Sequence, residues 1–231
     1  MPLRINSILL LMGFCLCATN ARAQSAERLP DSSVLLNNIT VVYDININSN
    51  KKNTGIAETY NGGVKTIMIK GGKTRVRLVT LMRIQSIYLF KQDSTLSKVL
   101  IVKESGNKRY KSRLSPADWK NYNAKYDSIT YTLLNDSITV AGHNCRKAII
   151  TIPGEGKEVI AYYSTSLKSL DKNTEPMFTG LPGMVLKYEY EDPEGTIIFT
   201  AGKISFDQID EKILEEPTKG YTQKKYSSKG G

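Results

Sequence analysis

Between residues 34 and 217 the apolar positions of the chain recur mostly at every second residue, in short runs broken by glycine, proline, asparagine or aspartate. That spacing is the signature of half-buried strands, because successive side chains of a pleated strand point to opposite faces. The first run, Leu36 to Ile47, places Tyr43, Ile45 and Ile47 on one face. The next unit is sharper. Val64 to Lys70 and Lys73 to Val79 flank Gly71-Gly72, which predicts a tight hairpin with a type I′ turn and positive φ at both glycines. In that hairpin Ile69 faces Thr74 and Ile67 faces Val76. The opposite face carries Lys70, Lys73, Arg75 and Arg77 with Thr66 and Met68, so one face is apolar and the other basic. A sheet with one covered and one solvated face is expected.

Four further hairpins follow from the same reading. Ser97–Glu104 and Lys108–Leu114 flank Ser105-Gly106-Asn107, and Ile129–Leu134 and Ser137–Val140 flank Asn135-Asp136. Cys145–Ile152 and Glu158–Ser164 flank residues 153–157, and Met184–Glu191 and Thr196–Ser205 flank residues 192–195. Consecutive hairpins predict an antiparallel meander. Helical signals are few. Ser115-Pro116-Ala117-Asp118-Trp119 reads as an N-cap, a proline at the first helical position and an acid in the first turn, opening a short helix toward Tyr126. Residues 209–215 suggest a second short helical or extended element, and the chain from 218 to 231 reads as a basic polar tail.

The ends and the charge refine this picture. Arg4, the apolar run from Ile8 to Ala18, and Ala21-Arg22-Ala23 together read as a signal peptide over residues 1–23, with cleavage expected before Gln24. Residues 24–33 are a polar N-terminal segment, and 34–217 one β-rich domain. No later stretch is apolar enough to span a bilayer, so no transmembrane segment is expected in the mature form. The formal net charge is +10, and loss of Arg4 and Arg22 with the leader gives 10 − 2 = +8. The lysines are spread along the chain, which favours a solvated basic surface over a nucleic-acid site and leaves room for peripheral contact with anionic membranes.

Catalytic chemistry has little to stand on. Cys15 and Cys17 leave with the leader, so Cys145 remains alone and reads as a buried hydrophobe. His143, the single histidine, is placed by its turn on a surface hairpin; two residues from Cys145 it lacks any group that would orient a dyad. Glu189, Glu191, Asp192 and Glu194 read as a solvated turn rather than a calcium site. No metal, nucleotide or other cofactor is expected, and no enzymatic role.

Phe178-Thr179-Gly180-Leu181-Pro182-Gly183-Met184 reads alone as a rigid corner, Gly180, Leu181, Pro182 and Gly183, leading into a core strand. Gly180–Val185 also resembles the signature of the GLPGLI family of exported bacterial proteins, with Met-Val in place of Leu-Ile. Ile138–Ala148 is similar to that family's strand entry, with His143 where an aromatic is usual, and Ala161-Tyr162-Tyr163-Ser164 to the strand that follows. The resemblance implies Gram-negative export to the periplasm or outer envelope, without an assigned activity. It also implies a curved sheet or half-barrel like that of lipoprotein carriers. The expected fold class is therefore mainly β, an antiparallel curved sheet or half-barrel with one or two short helices. Ile67, Ile69, Val76, Met184 and Leu186 are the candidate apolar ligand face, and Lys70, Lys73, Arg75 and Arg77 a candidate anion-contact face. The partner expected is an envelope protein or a lipid-like ligand. The alternative is an envelope assembly or interaction factor whose core is filled.

Overall fold

The computed structural model describes residues 38–49, 59–168 and 173–226. The leader and the segment 24–33 lie outside the described residues. Strands dominate, joined into one sheet that does not close on itself. In chain order the strands are β1 (Asn38–Asn48), β2 (Gly63–Lys70), β3 (Lys73–Val79), β4 (Ile84–Gln92), β5 (Thr95–Ser105), β6 (Lys108–Leu114), β7 (Thr130–Val140), β8 (His143–Ile152), β9 (Lys157–Ser164), β10 (Met184–Asp192), β11 (Gly195–Ser205) and β12 (Thr222–Gln223). Among the described residues one helix, α1 (Pro116–Tyr122), and short 3-10 turns accompany the strands. The sheet order is β12-β6-β5-β4-β3-β2-β1-β11-β10-β9-β8-β7. All pairings are antiparallel except that of β12 with β6.

The register of the glycine hairpin is the one its sequence dictates, with Ile69 opposite Thr74 and Ile67 opposite Val76. Its turn differs from expectation. Only Gly71 takes a positive φ, 56°, so the pattern is that of a II′ rather than a I′ turn. Positive φ at both central residues occurs instead at Asp93-Ser94 and Ala141-Gly142. Asn135-Asp136 is not a hairpin turn. Both flanking runs belong to β7 and pair with β8, with a bulge between Leu133 and Ser137, because pairing across the whole strand outweighs the local turn preference. β4 is a strand that no bracketing glycine or proline announces.

The helix forms as read. Ser115 accepts from the Asp118 amide and the Asp118 carboxylate accepts from the Ser115 amide, a reciprocal cap, and Pro116 opens the first turn. Its one buried residue, Trp119, plugs a cluster of Leu89, Leu96, Val99, Ile101 and Leu114 on the front face of β4–β6.

The larger core also lies on the front face. Ile39, Val41, Tyr43 and Ile45 of β1 alternate inward and join side chains of β2 and β8–β11. Contact of β7 with β11 shows the sheet curling over this core. The back face of β2–β6 is not left to solvent, contrary to the one-sided sheet expected. Residues 206–226 form a strap across it. Ile209 and Leu214 bury Met68, and Tyr221 packs against Tyr88, Leu100 and Val102. The strap rounds the sheet edge as β12, and Tyr226 ends on the front face beside Tyr122. Residues 221–226, part of the stretch expected to be a tail, are thus docked.

Candidate functional site

The candidate apolar face is a packed interior. Ile67, Ile69, Met184 and Leu186 are each at most 5% exposed and belong to the main core, and the half-buried Val76 packs against it. Leu186 is the extra residue of a bulge between Val185 and Lys187, which lets three consecutive residues, Met184 to Leu186, all bury. The Gly180–Gly183 corner caps this core. Leu181 is buried within it, and Pro182 follows between the two glycines. Neither glycine has a positive φ; both are required by close approach. A Cβ on Gly180 would meet the Tyr131 ring at 2.3 Å, and one on Gly183 the Ser164 carbonyl at 2.1 Å.

Beneath the corner sits a polar group that alternation alone would call apolar. Lys65 is in phase with Ile67 and Ile69 and lies in the core, 8% exposed. Its Nζ donates to Glu175 and, at 3.1 Å, to the Tyr188 hydroxyl. It also stands 5.1 Å from the Tyr43 ring centre, 4.9 Å from that of Tyr188 and 5.8 Å from that of Phe199. An ammonium faced by three aromatic rings and a carboxylate is compensated despite burial. The Tyr43 hydroxyl donates to the Val185 carbonyl at 2.7 Å. Burial, and then Glu175, hold the Tyr43 and Tyr188 phenols well above their usual range. The assembly ties the chain before the corner to β1, β2 and β10.

Cys145 and His143 do not form a dyad. His143 is 6% exposed rather than on the surface, because it begins β8 instead of ending a loop. Its Nδ1 lies 3.4 Å from the Ser166 hydroxyl, which is 2.9 Å from the Ser164 hydroxyl. The Cys145 thiol donates to the His143 carbonyl at 3.5 Å, and burial pushes its pKa up to about 11. Such a sulfur stays a thiol at neutral pH. Burial also lowers the pKa of His143. The acidic turn is internally bonded, with the Glu194 amide donating to Asp192 and the Thr196 hydroxyl to Glu191. Among the described residues no group of three or more metal-ligating side chains converges.

The basic face meets the strap. Lys70 and Lys73 pair with Glu211 at 3.3 and 3.5 Å, and Lys70 also donates to the Ile209 carbonyl. Arg75 donates to the Ile213 carbonyl and to Ser86, and lies 4.9 Å from the Tyr88 ring centre. Farther along, Glu216 receives Lys98, Lys111 and Arg113 at 3.2, 3.3 and 2.6 Å. Burial raises the Glu216 carboxyl, but these three donors outweigh it and hold it below the usual range. Arg77, on β3 in register with Ser86, shares this face.

A recess opens on the front face. A cleft of about 760 Å³ lies on the front face between the end of α1 and β5–β6, walled by residues 224–226. Tyr110, Tyr122, Tyr126 and Tyr226 line it, interleaved with Lys103, Lys125, Lys224 and Lys225. Glu155 is the single acid of the lining, and hydrogen bonding from Lys125 at 2.9 Å holds its carboxyl below the usual range. Sequence reading misses this site because its walls come from four distant segments. The two tyrosines and two adjacent lysines of residues 221–226 are the one local signal, and they read as tail composition.

No family model matches the chain, and no curated protein matches it. Among solved structures it is similar to PNGF-II (TM-score 0.46, 12% identity), covering 82% of this chain and 32% of that one. The chain thus spans about a third of the length of PNGF-II. It is also similar to a beta-barrel-like protein of domain of unknown function DUF1849 from Brucella abortus (TM-score 0.36, 10% identity, 76% of this chain and 100% of that one). A hypothetical protein from Chlamydia trachomatis gives a TM-score of 0.35 at 11% identity, over 78% of this chain and 91% of that one.

Proposed function

We propose that this is an exported, non-enzymatic interaction protein of a Gram-negative envelope, with a half-barrel that serves as a filled scaffold and a partner that is met on its surface. The observation that carries this is the burial of Ile67, Ile69, Met184 and Leu186 in one continuous core sealed by Phe178 and Leu181. A carrier of acyl chains needs an apolar concavity of some hundreds of cubic ångströms. Here those positions hold side chains instead. Export rests on the leader pattern of residues 1–23, and the envelope on the GLPGLI-like corner. The protonated Cys145 thiol supports a role without a nucleophile. Contact with a membrane surface is supported by Leu81 and Met82, 82% and 61% exposed on the β3–β4 turn beside Arg83. Among the described residues no helix is long and apolar enough to cross a membrane.

The test is a titration of the processed protein, beginning at Gln24, with a fluorescent fatty acid and a fluorescent phospholipid, followed by native mass spectrometry. The expected result is no saturable binding and a mass equal to the bare chain. Saturable one-to-one binding displaced by palmitate would overturn the filled-core reading.

A further inference from the structure

We infer that the front-face cleft is a binding site for an acidic glycan chain, with sugar rings seated on its tyrosines and carboxylate groups met by its lysines. This rests on the reading of a surface-acting interaction protein and names the partner class. Three features of the cleft carry it.

The first is uncompensated charge. Of the four lysines only Lys125 is matched, by Glu155, and that carboxylate is also approached by Lys157 at 3.6 Å. Lys103, Lys224 and Lys225 make no ion pair among the described residues. Ammonium groups gathered around a concave surface raise the local concentration of anions and attract a polyanion in particular.

The second is the mounting of the aromatic rings. Tyr122 is stacked on the buried Trp119, ring centres 5.4 Å apart and planes 10° from parallel, and makes a T-shaped contact with Tyr226, ring centres 6.2 Å apart. The Tyr110 ring lies under Lys224 Nζ at 3.7 Å. Rings held in this way lose little entropy on contact with a ligand, and each carries a hydroxyl at the far end for hydrogen bonding. A pyranose ring has the complementary shape, with C–H groups on its face and hydroxyls at its rim. Asn121 and Ser112 of the lining supply amide and hydroxyl partners for that rim.

The third is size and position. A volume of about 760 Å³ fits a short stretch of sugar rings, and, among the described residues, 224–226 wall the cleft at the sheet edge. A nucleic-acid strand would also offer rings and anions. The leader pattern of residues 1–23 favours the glycan.

Trp119 is the sole tryptophan, so its fluorescence reports occupancy directly. The processed chain is titrated with a short oligogalacturonate, a neutral malto-oligosaccharide of equal length, polyglutamate and oligothymidylate. The expected result is saturable binding of oligogalacturonate that weakens as salt rises, with the other three at least about tenfold weaker. Lys103→Ala/Lys225→Ala, both exposed, and separately Tyr110→Ala should each weaken oligogalacturonate binding by about tenfold or more at unchanged melting temperature. The inference is overturned by absence of binding, by equal binding of polyglutamate, malto-oligosaccharide or oligothymidylate, or by indifference to Tyr110→Ala. The fatty-acid titration reads the filled core separately, so failure here leaves that reading standing.

Discussion

Gly183→Ala puts one methyl group where the structure has no room. Its Cβ would lie 2.1 Å from the Ser164 carbonyl oxygen, 2.6 Å from the carbonyl carbon and 2.9 Å from the Thr165 nitrogen. These are main-chain atoms at the end of β9, held by the pairing of Met184 with Ser164 and by the Met184 amide donating to the Leu167 carbonyl at 2.8 Å. The neighbour cannot rotate away as a side chain would, so the strand end must open by roughly 1 Å or more, an overpacking that costs about 1–3 kcal/mol. Loss of the Leu167 hydrogen bond adds about 1 kcal/mol. Restriction of the unfolded chain returns about 0.4–1 kcal/mol, since φ at Gly183 is not in the left-handed region. The net expectation is a loss of about 1–3.5 kcal/mol, or about 2–14 °C in melting temperature for a chain of this size.

Gly154→Ala is the matched control. It sits in the β8–β9 turn without a positive φ, and nothing lies within 4 Å of its Cβ position. It should stabilise the protein by about 0.4–1 kcal/mol. Urea unfolding followed by far-ultraviolet circular dichroism, with thermal melts alongside, measures both. If Gly183→Ala melts with the wild type, the corner does not close on β9 as the structure shows.

Three other outcomes follow from the same coordinates. Lys65→Met strands Glu175, whose side chain is 17% exposed, and should cost about 1–3 kcal/mol; Lys65→Met/Glu175→Gln should lose at least about 1 kcal/mol less than the two single losses summed, and strict additivity in urea melts would refute the coupling. Burial, assisted by Tyr60 and Asp192, raises the Tyr190 pKa to about 12, so its contribution is complete below the unfolded value near 10 and is lost as pH rises toward 12, at about 1.4 kcal/mol per pH unit. Urea midpoints of the wild type should therefore fall faster than those of Tyr190→Phe between those two values, and parallel curves would refute it. Leu81→Ser/Met82→Ser should reduce co-sedimentation with phosphatidylglycerol vesicles several-fold without a change in melting temperature; equal sedimentation would remove the membrane-contact reading.

Local chemistry made much of the fold readable. A two-residue turn fixes register, so Ile67 could be set against Val76 from sequence alone, and Ser115, Pro116 and Asp118 fix a helix start within three residues of one another. What escaped is what neighbours in space decide. Asn135-Asp136 has turn chemistry but is held in β7 by pairing with β8. Lys65 occupies an inward position that alternation would fill with an apolar side chain, and the carboxylate that makes this tolerable lies 110 residues away at Glu175. The basic residues of β2 and β3 read as solvated because Glu211 and the rest of the strap are distant in sequence. The cleft has no local signature for the same reason.

The strap also determines where the positive charge of this chain is free to act. On the back face, Glu211 and Glu216 engage Lys70, Lys73, Lys98, Lys111 and Arg113, and Glu104 lies 3.7 Å from Arg109. The same segment then rounds the β6 edge and delivers Lys224, Lys225 and Tyr226 to the cleft, where one carboxylate stands among four lysines. Bridging cations on one face and adding lysines to the other are thus successive acts of one stretch of chain, and they can be separated. Ending the chain after Gln223 removes the cleft wall but keeps Glu216, Tyr221 and the β12 pairing. Such a protein should melt within a few degrees of the full chain, since the lost wall contributes chiefly the contact of Tyr226 with Tyr122, the Lys224 ammonium over the Tyr110 ring and the Lys224 amide bond to Lys111. Oligogalacturonate binding should nonetheless fall by about tenfold or more. Undiminished binding by the shortened chain would place the glycan elsewhere on the molecule.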